Sequence, residues 1–171
     1  VMLADLMRQT KDMYGVFYIR ITRKVTDRIF EEGSTFEIGK AATLREGNDV
    51  TLITSGFCTS DTLKAADILA GQGISVRVLN MFTWKPIDAQ PVCDAAQQTS
   101  AIVTVENHNI INGLGSAVSE VVGECCPVPV KRIGVPDVFG EVGSIDYLKQ
   151  TFHMTVDDIV KAAQEVINRK K

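Results

Sequence analysis

The stretch around His108 combines residue types that are able to do chemistry. His108 follows Asn107 at the carboxyl end of a predicted strand and precedes Gly113, which opens a predicted helix. Ligands commonly bind at such strand ends in open α/β sheets. Amides at the start of the helix, together with Ser116, could hold an anion, and a histidine titrating near neutrality could transfer protons. However, no nucleophile accompanies His108, and a tight turn alone explains the glycine. We therefore favour a structural role for this stretch.

Other polar groups in the sequence have simpler interpretations. Residues 56–60 precede a predicted helix but lack the G-x-x-x-x-G-K and G-x-G-x-x-G patterns of phosphate-binding loops, so we interpret them as a turn in which Ser60 caps the helix. Asp88 is predicted to cap the next helix. Asp137 and Glu141 could act as paired carboxylates, but without a defined geometry we interpret them as part of a solvated loop. None of these groups is predicted to be catalytic.

The cysteines and histidines do not predict a metal site. They form no C-x-x-C pair and show no metal-ligand spacing: Cys58, Cys93, Cys125, Cys126, His108 and His153. We predict reduced, unreactive thiols that pack as small apolar residues. A strained bond between the adjacent Cys125 and Cys126 is the alternative.

Composition indicates a water-soluble globular domain. Apolar residues make up 45% and charged residues 23% of the 171 positions, which is close to the average for soluble proteins. The net charge of −3, without a long basic run, argues against a nucleic-acid partner. No apolar run reaches the ~20 residues of a membrane span, and no signal segment opens the chain. We therefore expect a cytoplasmic protein with no membrane partner.

From residue 49 onward, short apolar runs alternate with helical patterns, which predicts β-α units and a largely parallel sheet. The predicted strands are all too apolar to be half exposed: residues 50–54, 75–79, 101–106 and 128–133. Helices are predicted between them and at the end of the chain: residues 60–71, 88–97 and 113–124, a short helix from Ser144, and a last helix that starts with a capping box of Thr155 and Asp158.

The first third of the chain has a different pattern. A helix is predicted around residues 2–7, a strand at residues 16–21, and a polar crossing segment at residues 22–35. One helix and one strand cannot bury themselves, so residues 1–22 are interpreted as the tail of another domain. The first residue, Val1 rather than Met, agrees with a fragment.

Residues 36–45 predict a further strand with a tight turn that leads directly into the strand at residue 50. Such a reversal makes the two strands antiparallel neighbours. We therefore predict an α/β fold of three layers, with an open mixed sheet that is mostly parallel, one antiparallel edge strand, and helices on both faces.

Six segments of the chain resemble transketolase sequence in the same order: YIRITR (residues 18–23), IGKA (38–41), LREGND (44–49), TWKPID (83–88), VTVENH (103–108) and GLGSAV (113–118). Any single segment is a weak signal, but together they indicate the thiamine-diphosphate-dependent transketolase superfamily. The chain is similar to the C-terminal section of a split transketolase. The same section of a deoxyxylulose-phosphate synthase or of a 2-oxo acid dehydrogenase β subunit is the alternative within the superfamily.

The resemblance implies an intact enzyme of three α/β domains that transfers a two-carbon ketol unit between sugar phosphates. Residues 1–34 would be the tail of its pyrimidine-binding domain plus a connecting segment, and residues 35–171 its C-terminal domain. Thiamine diphosphate and Mg²⁺ are implied for the intact enzyme. Because the family's diphosphate motif and activating glutamate have no counterpart here, we expect no catalytic, cofactor-binding or metal residue in this fragment, no bound cofactor, and no activity from it alone.

The resemblance also implies partners and one substrate-binding residue. The partners are the missing diphosphate- and pyrimidine-binding domains or an N-terminal subunit, sugar phosphates, and a second copy in a homodimer. Arg23 falls where the family places an arginine on the sugar phosphate, and its planar guanidinium suits that role. Arg20 competes for the same role. A stand-alone anion- or nucleotide-binding α/β domain, using Gly56, His108 and Gly113, is the alternative from another class.

Overall fold

The computed structural model describes residues 1–23 and 25–170, and within these ranges one sheet is present with the strand order β1-β3-β2-β4-β5. Its strands are β1 (Ala42–Arg45), β2 (Val50–Thr54), β3 (Val76–Asn80), β4 (Ile102–Asn109) and β5 (Val130–Val135). Strand β1 is antiparallel to β3, and every other pair is parallel. The predicted mixed sheet with one antiparallel edge strand is confirmed.

The helices of the described residues are α1 (Met2–Thr10), α2 (Cys58–Gly71), α3 (Ala89–Thr99), α4 (Leu114–Cys125), α5 (Ile145–Thr151) and α6 (Val156–Ile167). Helices α2 and α6 contact each other, and α3 contacts α4. No helix in the described ranges is long and apolar enough to cross a membrane.

The two helix pairs cover opposite faces of the sheet. Leu52 of β2 packs in one apolar cluster with Leu69 and Ile159 of α2 and α6. Its neighbour Ile53 packs in the other cluster, with Val92 and Val118 of α3 and α4. Successive side chains of a strand point to opposite faces, so the apolar run that predicted β2 fills both layers. The predicted three-layer fold is therefore confirmed.

The predicted neighbour of the edge strand is wrong. Strand β1 does not turn back onto β2, because both edges of β2 are occupied by the parallel strands β3 and β4. Instead, Ala42 lies opposite Asn80 of β3. The chain then crosses the start of β3 at Gly47, where an added Cβ would lie 2.2 Å from the carbonyl carbon of Val76. A glycine at this crossing allows the backbones to approach, which a tight hairpin would not require.

The helix starts predicted at Asp88, Gly113, Ser144 and Thr155 are confirmed, whereas the start at Ser60 and the side-chain cap of Asp88 are wrong. Helix α6 has its capping box, and Ser144 caps α5. Helix α2 already begins at Cys58, so Ser60 lies inside it and donates its hydroxyl to the Asp27 carboxylate. Asp88 occupies the N-cap position of α3, but its side chain accepts a hydrogen bond from the Ala41 amide at 3.0 Å instead of capping the helix.

Residues 12–23 and 25–34, which we call the arm, connect α1 to the sheet domain without forming a helix or strand. The helix predicted near residue 2 is confirmed as α1, whereas the strand predicted at residues 16–21 is wrong. Val16 and Tyr18 are 101% and 88% exposed. A strand needs an edge to pair with, and no strand of the described residues pairs with this one.

The prediction of four reduced thiols is wrong for one pair of cysteines. Cys93 of α3 and Cys125 of α4 form a disulfide, with their Cα atoms 6.0 Å apart. They lie far apart in sequence and meet because the two helices pack side by side on the same face of the sheet. Cys58 and Cys126 are free. Burial raises the pKa of the Cys58 thiol to about 12, which makes it unreactive.

Candidate functional site

The carboxyl ends of the parallel strands meet at one edge of the sheet, where the sequence predicted a crevice around Gly56 and His108. The Trp84 ring meets the His108 ring edge to face, with the ring centroids 5.7 Å apart. The Trp84 Nε1–H donates to the Ser55 hydroxyl at 3.0 Å, just beyond β2. His108 places its Nδ1 atom 2.9 Å from the Asn109 carbonyl oxygen. These contacts make His108 part of the packing between strand ends, as the structural interpretation predicted.

Glu106 is the residue that the sequence analysis missed at this edge. Its side chain is completely buried in β4 and points at the start of α4. One carboxylate oxygen accepts the Leu114 amide at 2.6 Å, and the other accepts the Gly115 amide at 2.7 Å. An added Cβ on Gly113 would lie 2.0 Å from the same carboxylate. The amides at the helix start are therefore already bonded to a carboxyl group of the protein itself.

This arrangement also determines the electrostatics of Glu106. Burial raises the pKa of its carboxyl above the ordinary value, while the Gly115 and Leu114 amides and the charges of His108 and Arg132 oppose the shift. The bonds to helix-start amides are those that favour a carboxylate. An acidic residue inside an apolar strand, a few residues before a glycine that opens a helix, was the available sequence signal.

Ser116, the other side chain predicted to hold an anion, also forms its hydrogen bonds within the protein. The Ser116 hydroxyl accepts the Asn112 amide at 2.9 Å and lies 3.3 Å from the Ile110 carbonyl oxygen, so it closes the turn before α4. Together with Glu106, this contact disfavours the stand-alone anion-binding alternative at this helix start.

The two arginines proposed for substrate binding lie on the arm. Arg20 reaches the strand ends, where its Nη2 donates to the Asn107 carbonyl oxygen at 3.0 Å. Arg23 is exposed. Its assignment to a substrate phosphate stays a prediction. Asp137 and Glu141 are exposed loop residues, as predicted, and Glu141 accepts a hydrogen bond from the Tyr147 hydroxyl.

A cleft of about 280 Å³ is lined by Thr22, which precedes Arg23, and by Asn107, which binds Arg20. Its walls are mostly apolar and include Phe57 and Leu148. Thr22 of the arm, Asn107 and Lys149 are the polar residues of its lining. Lys149 is already paired with the Asp61 carboxylate.

No metal centre is present in the described ranges. Among residues 1–23 and 25–170, no three His, Cys, Asp or Glu side chains lie close enough together to hold an ion. These residues therefore do not fit a centre in which carboxylates hold Mg²⁺ and a diphosphate.

Comparison with known proteins identifies the family. Residues 39–159 match the family described as transketolase, C-terminal domain. The chain belongs to this family. A solved split-gene transketolase, described as an inactive beta4 tetramer, superposes with a TM-score of 0.94 at 38% identity, over 98% of this chain and 55% of that one. The transketolase C-terminal domain accounts for the sheet order and both helix layers.

Curated relatives extend the match over the arm and α1. The chain is 51% identical to the 6-deoxy-6-sulfo-D-fructose transketolase subunit of Clostridium sp. (strain MSTE9), over 91% of this chain and 48% of the relative. It is 36% identical to a putative transketolase C-terminal section of Methanocaldococcus jannaschii, over 97% of this chain and 52% of the relative. The chain thus spans about half the length of these transketolase relatives.

Proposed function

We propose that the chain is the C-terminal section of a transketolase that transfers a two-carbon ketol unit between sugar phosphates. The observation that carries this proposal is the unpartnered apolar surface of α1 and the arm. Helix α1 buries no residue, and Leu3, Met7, Val16 and Tyr18 are all exposed. Exposed apolar surface of this kind marks a contact with another domain or subunit. The half-length match to transketolase relatives supports the same conclusion.

In this proposal, residues 1–34 are the tail of the pyrimidine-binding domain with its connecting segment, and residues 35–171 are the C-terminal domain. The partners are the diphosphate- and pyrimidine-binding domains, or an N-terminal subunit that carries them, and a second copy in a homodimer. One relative is named as a transketolase subunit, and another as a tetramer of one subunit type, which supports an assembly of this kind.

The cofactors of the intact enzyme are proposed to be thiamine diphosphate and Mg²⁺, bound by residues outside this chain. Thiamine diphosphate would supply the carbanion chemistry of ketol transfer. The contribution of this chain is to cover the neighbouring domain, to support the dimer and to place Arg23. Alone it is proposed to be inactive. A cytoplasmic location is part of the proposal, since phosphorylated sugars are retained inside cells.

Arg23 is proposed to bind the anionic end of the sugar. A guanidinium forks two charge-assisted hydrogen bonds onto a phosphate, and it binds a sulfonate in the same way. The name of the 51% identical relative specifies a sulfonated ketose, which makes a sulfosugar a second candidate substrate. In both substrates, a strong anion lies at the end of the sugar's carbon chain that is opposite to the reacting carbons.

The test is ketol transfer by the intact protein that contains this chain, with its partner subunit if there is one, thiamine diphosphate and Mg²⁺. Phosphorylated, sulfonated and uncharged ketoses serve as donors. Arg23→Gln is expected to raise the KM for charged donors by about 10-fold to 100-fold, because charge-assisted hydrogen bonds are lost. The KM for an uncharged donor is expected to stay within about twofold.

Arg28→Gln is the matched control, because Arg28 lies on the same arm and pairs only with the exposed Glu32, at 3.4 Å, among the contacts of the described residues. Equal effects of both substitutions would contradict the role of Arg23. Ketol transfer by this chain alone would contradict the proposal as a whole, and absence of transfer by the intact protein with every donor would do the same.

A further inference from the structure

The arm cannot place Arg23 through structure of its own. Residues 16–23 and 25–28 form no helix or strand, and nearly all of their side chains are exposed. A free segment that must bind a ligand loses backbone and side-chain entropy on binding, which weakens the complex. In addition to the contacts proposed with the neighbouring domain, contacts with the sheet domain lower this entropy cost.

The described residues of the arm contact the sheet domain on each side of Arg23. Upstream, the Arg20 Nη2 donates to the Asn107 carbonyl oxygen of β4 at 3.0 Å. Downstream, the Asp27 carboxylate accepts the Ser60 hydroxyl of α2. The bonded atoms are a strand carbonyl and a helix side chain, and both elements belong to the rigid core.

The downstream contact extends into a charged network. Lys64 lies 3.7 Å from Asp27 and 3.6 Å from Asp61, and Asp61 in turn pairs with Lys149 of α5. The Ser60 hydroxyl, together with Lys64, lowers the pKa of the Asp27 carboxyl, so Asp27 stays charged at neutral pH. The arm is thereby joined to α2 and, through Asp61, to α5.

Between Arg20 and Asp27, one residue of the arm, Thr22, reaches the cleft beside the strand ends. Thr22 lines this cleft together with Asn107, whose carbonyl group binds Arg20. We infer that Arg20 and Asp27 are positioning residues that hold the Thr22-Arg23 pair at the mouth of the cleft for the anionic end of the substrate. This inference rests on the proposed function. It also assigns Arg20, the competitor of Arg23 in the sequence, to a supporting role.

The experiment uses the intact protein and compares charged with uncharged donors. Arg20→Gln and Asp27→Ala are each expected to raise the KM for a phosphorylated donor by about fivefold to tenfold, because each removes one fastening contact. The KM for an uncharged donor and the melting temperature are expected to stay unchanged. Arg20→Lys, which can still donate to a carbonyl, is expected to recover part of the loss. Arg28→Gln is the control on the same arm.

A double substitution separates positioning from direct binding. If Arg20 acts through Arg23, Arg20→Gln has no further effect on KM in the Arg23→Gln background. An additional fivefold loss in that background would show that Arg20 binds substrate itself and would overturn the inference. Loss of charged-donor binding in Arg23→Gln, with wild-type values for Arg20→Gln and Asp27→Ala, would overturn the inference and leave the proposed function intact. No effect of Arg23→Gln would overturn the inference and the substrate-binding role of Arg23, whereas absence of ketol transfer with every donor would overturn the proposed function.

Discussion

Glu106 shows how one buried side chain organises the edge of the sheet where a ligand would be expected. Its two oxygens saturate the Leu114 and Gly115 amides and link the end of β4 to the start of α4. A buried carboxylate is tolerated when hydrogen-bond donors surround it. Gly113 leaves the space that this carboxylate occupies.

We predict that Glu106→Gln destabilises the domain by about 1–3 kcal/mol, because the NH₂ group of glutamine cannot accept a backbone amide, whereas both carboxyl oxygens of glutamate can accept one with or without a bound proton. Urea unfolding of the chain measures this difference. Glu120→Gln, at an exposed position of the same helix, is the control and is expected to change stability by less than about 0.5 kcal/mol. Equal midpoints for the two variants would contradict the role assigned to Glu106.

Urea unfolding of wild type and Glu106→Gln at several pH values tests the direction of the Glu106 pKa shift. Because burial raises this pKa above its ordinary value of 4.5, the folded state binds the proton more tightly than the unfolded chain. The stability contributed by protonation is complete below the unfolded pKa and is lost as pH rises through the folded pKa. The advantage of wild type over Glu106→Gln should therefore shrink from about pH 4.5 upward. A gap that widens with pH would mean that the two amide bonds outweigh burial.

At the scale of elements, α4 shows why each glycine must be judged by its surroundings. An added Cβ on Gly115 would lie 2.7 Å from the Arg132 side chain and from the Thr104 hydroxyl, whereas Gly123 on the same helix has nothing within 4 Å. The first glycine allows α4 to approach the sheet. The second only lowers helix propensity.

We predict opposite effects for two alanine substitutions in α4. Gly123→Ala should stabilise the domain by about 0.5–1 kcal/mol, because alanine has the higher helix propensity. Gly115→Ala should destabilise it by about 1–3 kcal/mol through overpacking. Thermal unfolding of both variants beside wild type gives the signs. A stabilising Gly115→Ala would mean that Arg132 moves aside without loss.

Local patterns predicted the elements but not their pairing. Strand β2 and helix α6 were predicted correctly because a continuous apolar run and a capping box can be recognised within a short stretch of sequence. The pairing of β1 with β3 and the Cys93–Cys125 bond depend on which elements lie side by side, which no local pattern contains. Glu106 was missed because its partners are backbone amides, so that only its acidic side chain in an apolar strand before Gly113 pointed to this role.

At the scale of the whole molecule, the described residues form a packed sheet domain with an exposed extension. The apolar positions of residues 16–21 predicted a strand, yet this segment pairs with no strand of the described ranges. An apolar pattern predicts the structure that a segment adopts when its packing partner is present. The exposed side chains of Val16 and Tyr18 are therefore surface that the proposed missing domain would cover.

We predict that trypsin first cuts this chain in the arm, at exposed sites such as Arg23 and Arg28, and leaves the sheet domain intact. Lys161, within α6, should stay uncut over the same period. In the intact protein with its partner, cleavage of the arm should slow by at least about tenfold, since covered backbone resists proteolysis. Mass spectrometry of timed digests identifies the sites. First cleavage within the sheet domain, or an unchanged rate in the intact protein, would contradict the proposed covering domain.

If the proposed enzyme is made as two separate sections, the carboxyl group of Glu106 has a consequence for a cell that makes them in unequal amounts. An orphan section with an open helix start at its strand ends could capture nucleotides or sugar phosphates that it is unable to process. In this chain the Leu114 and Gly115 amides at the start of α4 are not available to a ligand, because both are already bonded to Glu106. We therefore expect no metabolite anion to be captured at the start of α4 by this section alone.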